Sequence, residues 1–178
     1  GSVLILMDVL FIIGQTFILG IIALFIIKWG HAHSVTILRL RGRLNRLQFV
    51  LGLFALYALL ILFSIFTKSL MESVVILPAY WGVRLLIYAG HILLLPFFYV
   101  LYVRRLHDLS LPGLPGILWS VFIIFTHSYF SVKATMILFS VIMILVNLLL
   151  ACIPGSSRPN KYGPPAIWPR KARRVTTP

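Results

Sequence analysis

The sequence predicts an all-α protein: a polytopic transmembrane helix bundle of about five spans, with its N-terminus outside and its C-terminus inside. Three observations carry this reading. Of the 178 residues, 61% are hydrophobic and only 11% charged, whereas soluble domains average roughly 45–50% apolar and 25% charged residues. A water-soluble fold of this length keeps too much surface exposed to hide so much apolar area. Several apolar runs also pass the roughly 18 residues that mark a spanning helix. Finally, thirteen of the sixteen Lys and Arg lie in three stretches (28–46, Arg104-Arg105 and the residues after 154), which five spans would place on one face.

The first span is predicted over 1–27, its apolar run being Leu4–Ile27 and Gly1-Ser2 reading as a cloning remnant. It is too long for a signal-peptide core and no basic residue precedes it, so it is expected to be retained. Its end at Lys28-Trp29 is typical of an interface anchor. Residues 28–46 form a basic loop, and 47–153 a bundle of about four further spans. Asn45, with Gln48 three residues on, predicts an N-cap and a capping box for the second span, Leu47–Phe66. Thr67–Ser73 is expected to turn the chain. The apolar stretch Val74–Val103 would be about 45 Å long as a helix, more than a bilayer core of roughly 30 Å needs. Val74–Val83 is therefore read as interfacial, Arg84 as snorkelling outward, and Leu85–Val103 as the third span, kinked at Pro96. After the Pro/Gly turn at 111–116, Leu114–Phe130 is either a short fourth span or a re-entrant segment, the one-sided basic count favouring the span, and Val132–Ile153 gives the fifth. The basic, Pro-rich tail 154–178 has no apolar period and is expected to lie unfolded along the membrane.

The net charge of +13 would suggest nucleic acid in a soluble protein. Placed between apolar spans, it points instead to the lipid bilayer and its anionic phospholipids, with no nucleic acid. The positive-inside rule puts the thirteen basic residues in the cytoplasm. A single cysteine, Cys152, excludes an intrachain disulfide.

Three segments in order, Gly42-Arg43-Leu44-Asn45-Arg46 with Phe49, Arg104-Arg105-Leu106-His107-Asp108, and Pro154-Gly155 followed by Asn160-Lys161-Tyr162-Gly163-Pro164, resemble the bacterial inner-membrane family called domain-of-unknown-function family 805. The resemblance covers roughly 42–165. The family usually has a tryptophan-rich helix start after the turn that follows its Arg-Arg-Leu-His-Asp motif. Here that place holds Gly113-Leu-Pro-Gly116, with Trp119 later. The resemblance implies a multi-pass protein of the bacterial inner (cytoplasmic) membrane and supplies no activity.

All three segments fall on the predicted cytoplasmic face. Arg43, Arg46, Arg104, Arg105, His107, Asp108, Asn160 and Tyr162 are therefore the candidate ligand- or lipid-binding set. Arg104 and Arg105 suit a helix C-terminus, Asp108 can pair with Arg105 three residues back, and paired arginines suit phosphate or carboxylate. The competing reading has these residues anchoring span ends and enforcing topology. His31-x-His33 is an incomplete zinc site, and no metal or cofactor is expected. His91 and His127 are intramembrane candidates, each more simply a neutral ring hydrogen-bonded to a neighbouring helix. Asn147 is expected to bond between helices, and Cys152 to be inert packing.

No phosphate loop, dinucleotide fingerprint or local triad signature is present, and three dispersed acids cannot build a two-metal or paired-carboxylate site. The reading favoured is a binding or accessory protein whose basic face engages anionic lipid or a partner protein, with homo-oligomers as another partner class. The alternatives are a small transporter or export factor, and a membrane enzyme using His107 as base on a lipid-linked substrate.

Overall fold

The computed structural model describes residues 1–129 and 133–169. It is all-helical, with five α-helices among the described residues: α1 (Ser2–Ala32), α2 (Arg46–Glu72), α3 (Leu77–Asp108), α4 (Leu114–Tyr129) and α5 (Lys133–Cys152), plus a 3-10 turn at Thr36–Leu38. The first three helices are long and apolar enough to cross a membrane. At 1.5 Å per residue, α4 is about 24 Å long and α5 about 30 Å.

The start of α2 follows the expected chemistry. The Asn45 side chain accepts the Gln48 N–H at 2.8 Å, and Gln48 Oε1 accepts the Asn45 N–H at 3.1 Å, so two otherwise orphaned donors are satisfied. The end of α2 differs from expectation, since the helix runs on through Thr67 to Glu72. The Thr67 hydroxyl donates back to the carbonyls of Phe63 and Ser64 within the helix, so this polar segment needs no turn. Nor is 74–83 a separate segment, because α3 is continuous from Leu77. Pro78 sits in its first turn, where its missing N–H costs nothing, and Pro96 is buried within the helix.

α3 is the central helix, packed against α1, α2 and α4, while α5 leans on α2 and α4. Leu95, Phe98, Tyr99 and Tyr102 of α3 are fully buried with Phe49 of α2 and Ile123 and Ile124 of α4. Tyr99 donates to the Gly20 carbonyl of α1 at 2.8 Å. Asn147 of α5 joins three helices, as expected of it. Its Oδ1 accepts from Tyr102 at 2.6 Å, and its Nδ2 lies 3.4 Å from the Tyr57 hydroxyl. The outer faces of α1, α2 and α5 expose large apolar residues such as Phe25, Phe54, Leu62, Ile65 and Leu148. Such a surface suits a lipid solvent, where only the backbone must be satisfied internally.

The helix ends sort into two groups. The C-terminus of α1, the start of α2, the end of α3, the start of α4 and the end of α5 share one end of the bundle with the tail, hereafter the arginine end. Asp8, on the first turns of α1, and Glu72, at the end of α2, belong to the opposite end.

Candidate functional site

At the arginine end the three sequence segments meet around one carboxylate. Asp108, 4% exposed, accepts from Arg43 Nε at 2.9 Å and from Arg105 Nη1 at 2.7 Å. Both guanidinium groups are buried too, and their remaining donors go to backbone carbonyls. Arg105 donates to Leu44 (3.0 Å), Leu150 (2.7 Å) and Ile153 (2.5 Å). Leu150 and Ile153 lie at the C-terminus of α5, where carbonyls lack intrahelical partners and the helix dipole is negative. Arg43 donates to the carbonyls of Arg158 (3.0 Å), Gly163 (3.3 Å) and Ser156. One carboxylate and a ring of carbonyls thus hold two buried cations, with four hydrogen bonds from each guanidinium.

The tail is ordered by the same contacts, which corrects the unfolded reading for residues 154–169. Asn160 Nδ2 donates to the His107 carbonyl (3.0 Å) and to Ser110 (3.1 Å), while its Oδ1 accepts the Tyr162 N–H (2.9 Å). Tyr162 stacks on the His107 ring at 3.9 Å with the planes 7° apart. His107 Nδ1 lies 3.0 Å from the Gly42 carbonyl; that nitrogen carries the proton, because a carbonyl only accepts. Gly42 has φ +103°, a conformation glycine adopts without strain. At Gly155 a Cβ would overlap the Asp108 carboxylate, so this position requires the smallest residue. Asn45 Nδ2 adds a bond to the Trp168 carbonyl at 2.9 Å. The four basic residues beyond 169, Arg170, Lys171, Arg173 and Arg174, lie outside the described residues, as does the Lys133 side chain.

The other two candidates stand apart from this clasp. Arg46, exposed, reaches only the Cys152 carbonyl at 3.4 Å. Arg104 turns away from Asp108 and donates to the carbonyls of Arg39 (2.7 Å) and Thr36 (3.0 Å), stapling the loop to α3. Beside it is a recess of about 480 Å³ lined by His31, Thr36, Arg39, Arg41, Gly42 and Arg104. No carboxylate lines it, and Asp108 is held by Arg43 and Arg105. In the sequence Arg39 and Arg41 stand only as charges of the basic loop. The clue in the sequence was arithmetic, since a single acid near the arginine end cannot neutralise every arginine there.

The remaining sequence candidates are placed as follows. His31 is helical rather than in a flexible loop, and His33 stacks on Trp29 at 4.7 Å. No group of three or more potential metal ligands exists among the described residues. His127 bonds to Ser64 across α2 and α4, whereas the buried His91 Nδ1 lacks a partner. Arg84 does not snorkel outward: it donates to the Tyr88 hydroxyl one turn on at 2.9 Å and faces into the bundle. Cys152 is exposed rather than packed.

A family model described as a protein of unknown function (DUF805) matches residues 37–164, a span that begins in the loop and ends in the ordered tail. No curated protein and no solved structure matches.

Proposed function

Because the chain belongs to the DUF805 family of proteins of unknown function, a role has to be argued from its own residues, and we propose that it is a non-enzymatic binding protein of the bacterial inner membrane that holds an anionic phospholipid headgroup at its arginine end. In this reading all five helices cross, the arginine end is cytoplasmic, and the N-terminus is outside. The supporting count is the one made from sequence: thirteen basic residues on one face obey the positive-inside rule.

The observation that carries the proposal is the recess without a counter-ion. Arg39, Arg41 and Arg104 line it together with His31, and no acid does. Arginines so placed attract phosphate by charge and can grip it bidentately. Of the candidate set, Arg104 faces the headgroup directly, and Arg46 adds exposed charge at the same leaflet. Arg43, Arg105, Asp108, His107, Asn160 and Tyr162 set the backbone that forms the recess wall. A catalytic base at His107 is disfavoured by its place between the Gly42 carbonyl and the Tyr162 ring.

Each basic residue near an anionic leaflet contributes about 1 kcal/mol. Arg39→Gln/Arg41→Gln is therefore expected to weaken binding of phosphatidylglycerol by about 2 kcal/mol, roughly thirtyfold. Native mass spectrometry of protein from zwitterionic nanodiscs titrated with phosphatidylglycerol measures this. Equal retention by wild type and variant would sink the proposal.

A further inference from the structure

A second cavity, of about 520 Å³, lies inside the bundle in the half remote from the arginine end. Four helices wall it: α1 through Gln15, α2 through Ser64 and Lys68, α3 through Arg84 and His91, and α4 through His127. Its size falls within the 300–1,000 Å³ of small-ligand sites. Two cations line it, and neither Lys68 nor Arg84 has a carboxylate within ion-pair distance among the described residues. Ionisable groups at membrane depth are costly and mark functional positions.

The polar groups run in order along the cavity wall. Arg84 and Gln15 both donate to the Tyr88 hydroxyl, at 2.9 and 2.7 Å. Their bonds fix the guanidinium over the Tyr88 ring, 5.2 Å from its centroid. Two turns further into α3, about 10 Å along its axis, His91 is 3% exposed and its Nδ1 has no hydrogen-bond partner. It packs edge-on to His127 at 5.9 Å, and the wall also carries the apolar side chains of Leu19, Phe63 and Ile87 together with the hydroxyls of Thr16, Thr67 and Ser128, of which Thr16 and Thr67 donate back within their own helices.

We infer that this cavity binds an anionic amphiphile, its carboxylate or phosphate group between Lys68 and Arg84 and its apolar part against Phe63 and Ile87. The charge pattern selects the sign of the head, and the histidine wall offers one further hydrogen bond deeper in. Such a head can come from a single-chain acid or from a bilayer phospholipid. Both carry a delocalised oxyanion that the fixed guanidinium and the mobile ammonium can share. The site is separate from the recess proposed for headgroup binding and uses none of its residues.

The test uses the full chain in phosphatidylcholine nanodiscs, titrated separately with oleate and with phosphatidylglycerol and read by native mass spectrometry. One equivalent of at least one probe should be retained by wild type. Lys68→Gln/Arg84→Gln should weaken retention in this cavity at least tenfold, while Arg39→Gln/Arg41→Gln leaves oleate retention unchanged and removes only the separate phosphatidylglycerol equivalent held in the recess. Weakening of oleate alone in the Lys68/Arg84 variant identifies a single-chain acid, and weakening of phosphatidylglycerol alone a bilayer lipid. If the double variant does not fold, Lys68→Glu, at an exposed side chain with no bond to lose, should give the same weakening. Equal retention by wild type and Lys68 variants, equal retention of phosphatidylcholine, or no retention of either probe overturns the inference. Loss only in the Arg39/Arg41 variant does so as well, while leaving the recess proposal standing.

Discussion

Asp108 is the residue on which the arginine end turns, because one carboxylate faces two buried guanidinium groups. Removing it leaves two like charges without their acceptor in a site closed to water. Asp108→Ala is expected to destabilise the protein by about 3–5 kcal/mol, measurable as a lowered unfolding midpoint in detergent. Arg105→Lys should be nearly as damaging despite keeping the charge. A single ammonium cannot span the Leu44, Leu150, Ile153 and Asp108 acceptors that the planar fork reaches together. The pairing of Arg105 with Asp108 was legible in the sequence from their spacing. The second partner, Arg43, was legible only as a nearby helix start. The fate of the remaining donors was not, because their acceptors are backbone carbonyls, which every residue carries and no side chain announces.

Among the elements, α2 shows which signals are local enough to read. Its capping box is encoded within four residues, and Asn45→Ala is expected to cost about 1 kcal/mol. That loss would appear as a lower midpoint in the same unfolding assay. It would also free the Trp168 carbonyl and raise amide exchange in the tail near Ala166–Trp168. The extents of α2 and α3 were harder to read. Thr67 looked like a turn residue until its hydroxyl found carbonyls inside its own helix, and the length of the apolar stretch 74–103 suggested two segments where α3 is continuous from Leu77. Arg84 misled in the same way. An arginine near a helix start normally reaches for headgroups, but here Tyr88 lies one turn on and Gln15 of α1 shares its hydroxyl. The ordering of residues 154–169 had no periodic signature, since that segment is held by turns and by long-range bonds rather than by a helix or strand.

For the whole molecule, the proposed orientation has a direct reporter. Cys152 is the single cysteine and is exposed at the arginine end. A membrane-impermeant maleimide should label it in inverted vesicles and not in right-side-out ones, and the opposite result would reverse the topology. The helical class and the family were legible because composition and ordered motifs are properties of the chain itself. The two cavities were not, because each is assembled from residues far apart in sequence. The clasp also sets an order of events during biogenesis. The carbonyls that hold Arg43 lie 113 to 120 residues further along the chain. At about 5–20 residues per second, the nascent polypeptide takes roughly 6–23 s to deliver the first of them. Until then the Arg43 guanidinium lacks those three acceptors, and Asp108, 65 residues on, is the first of its partners to be made. The helices are therefore all synthesised before this fastening, and the segment after α5 acts as a late latch on Arg43.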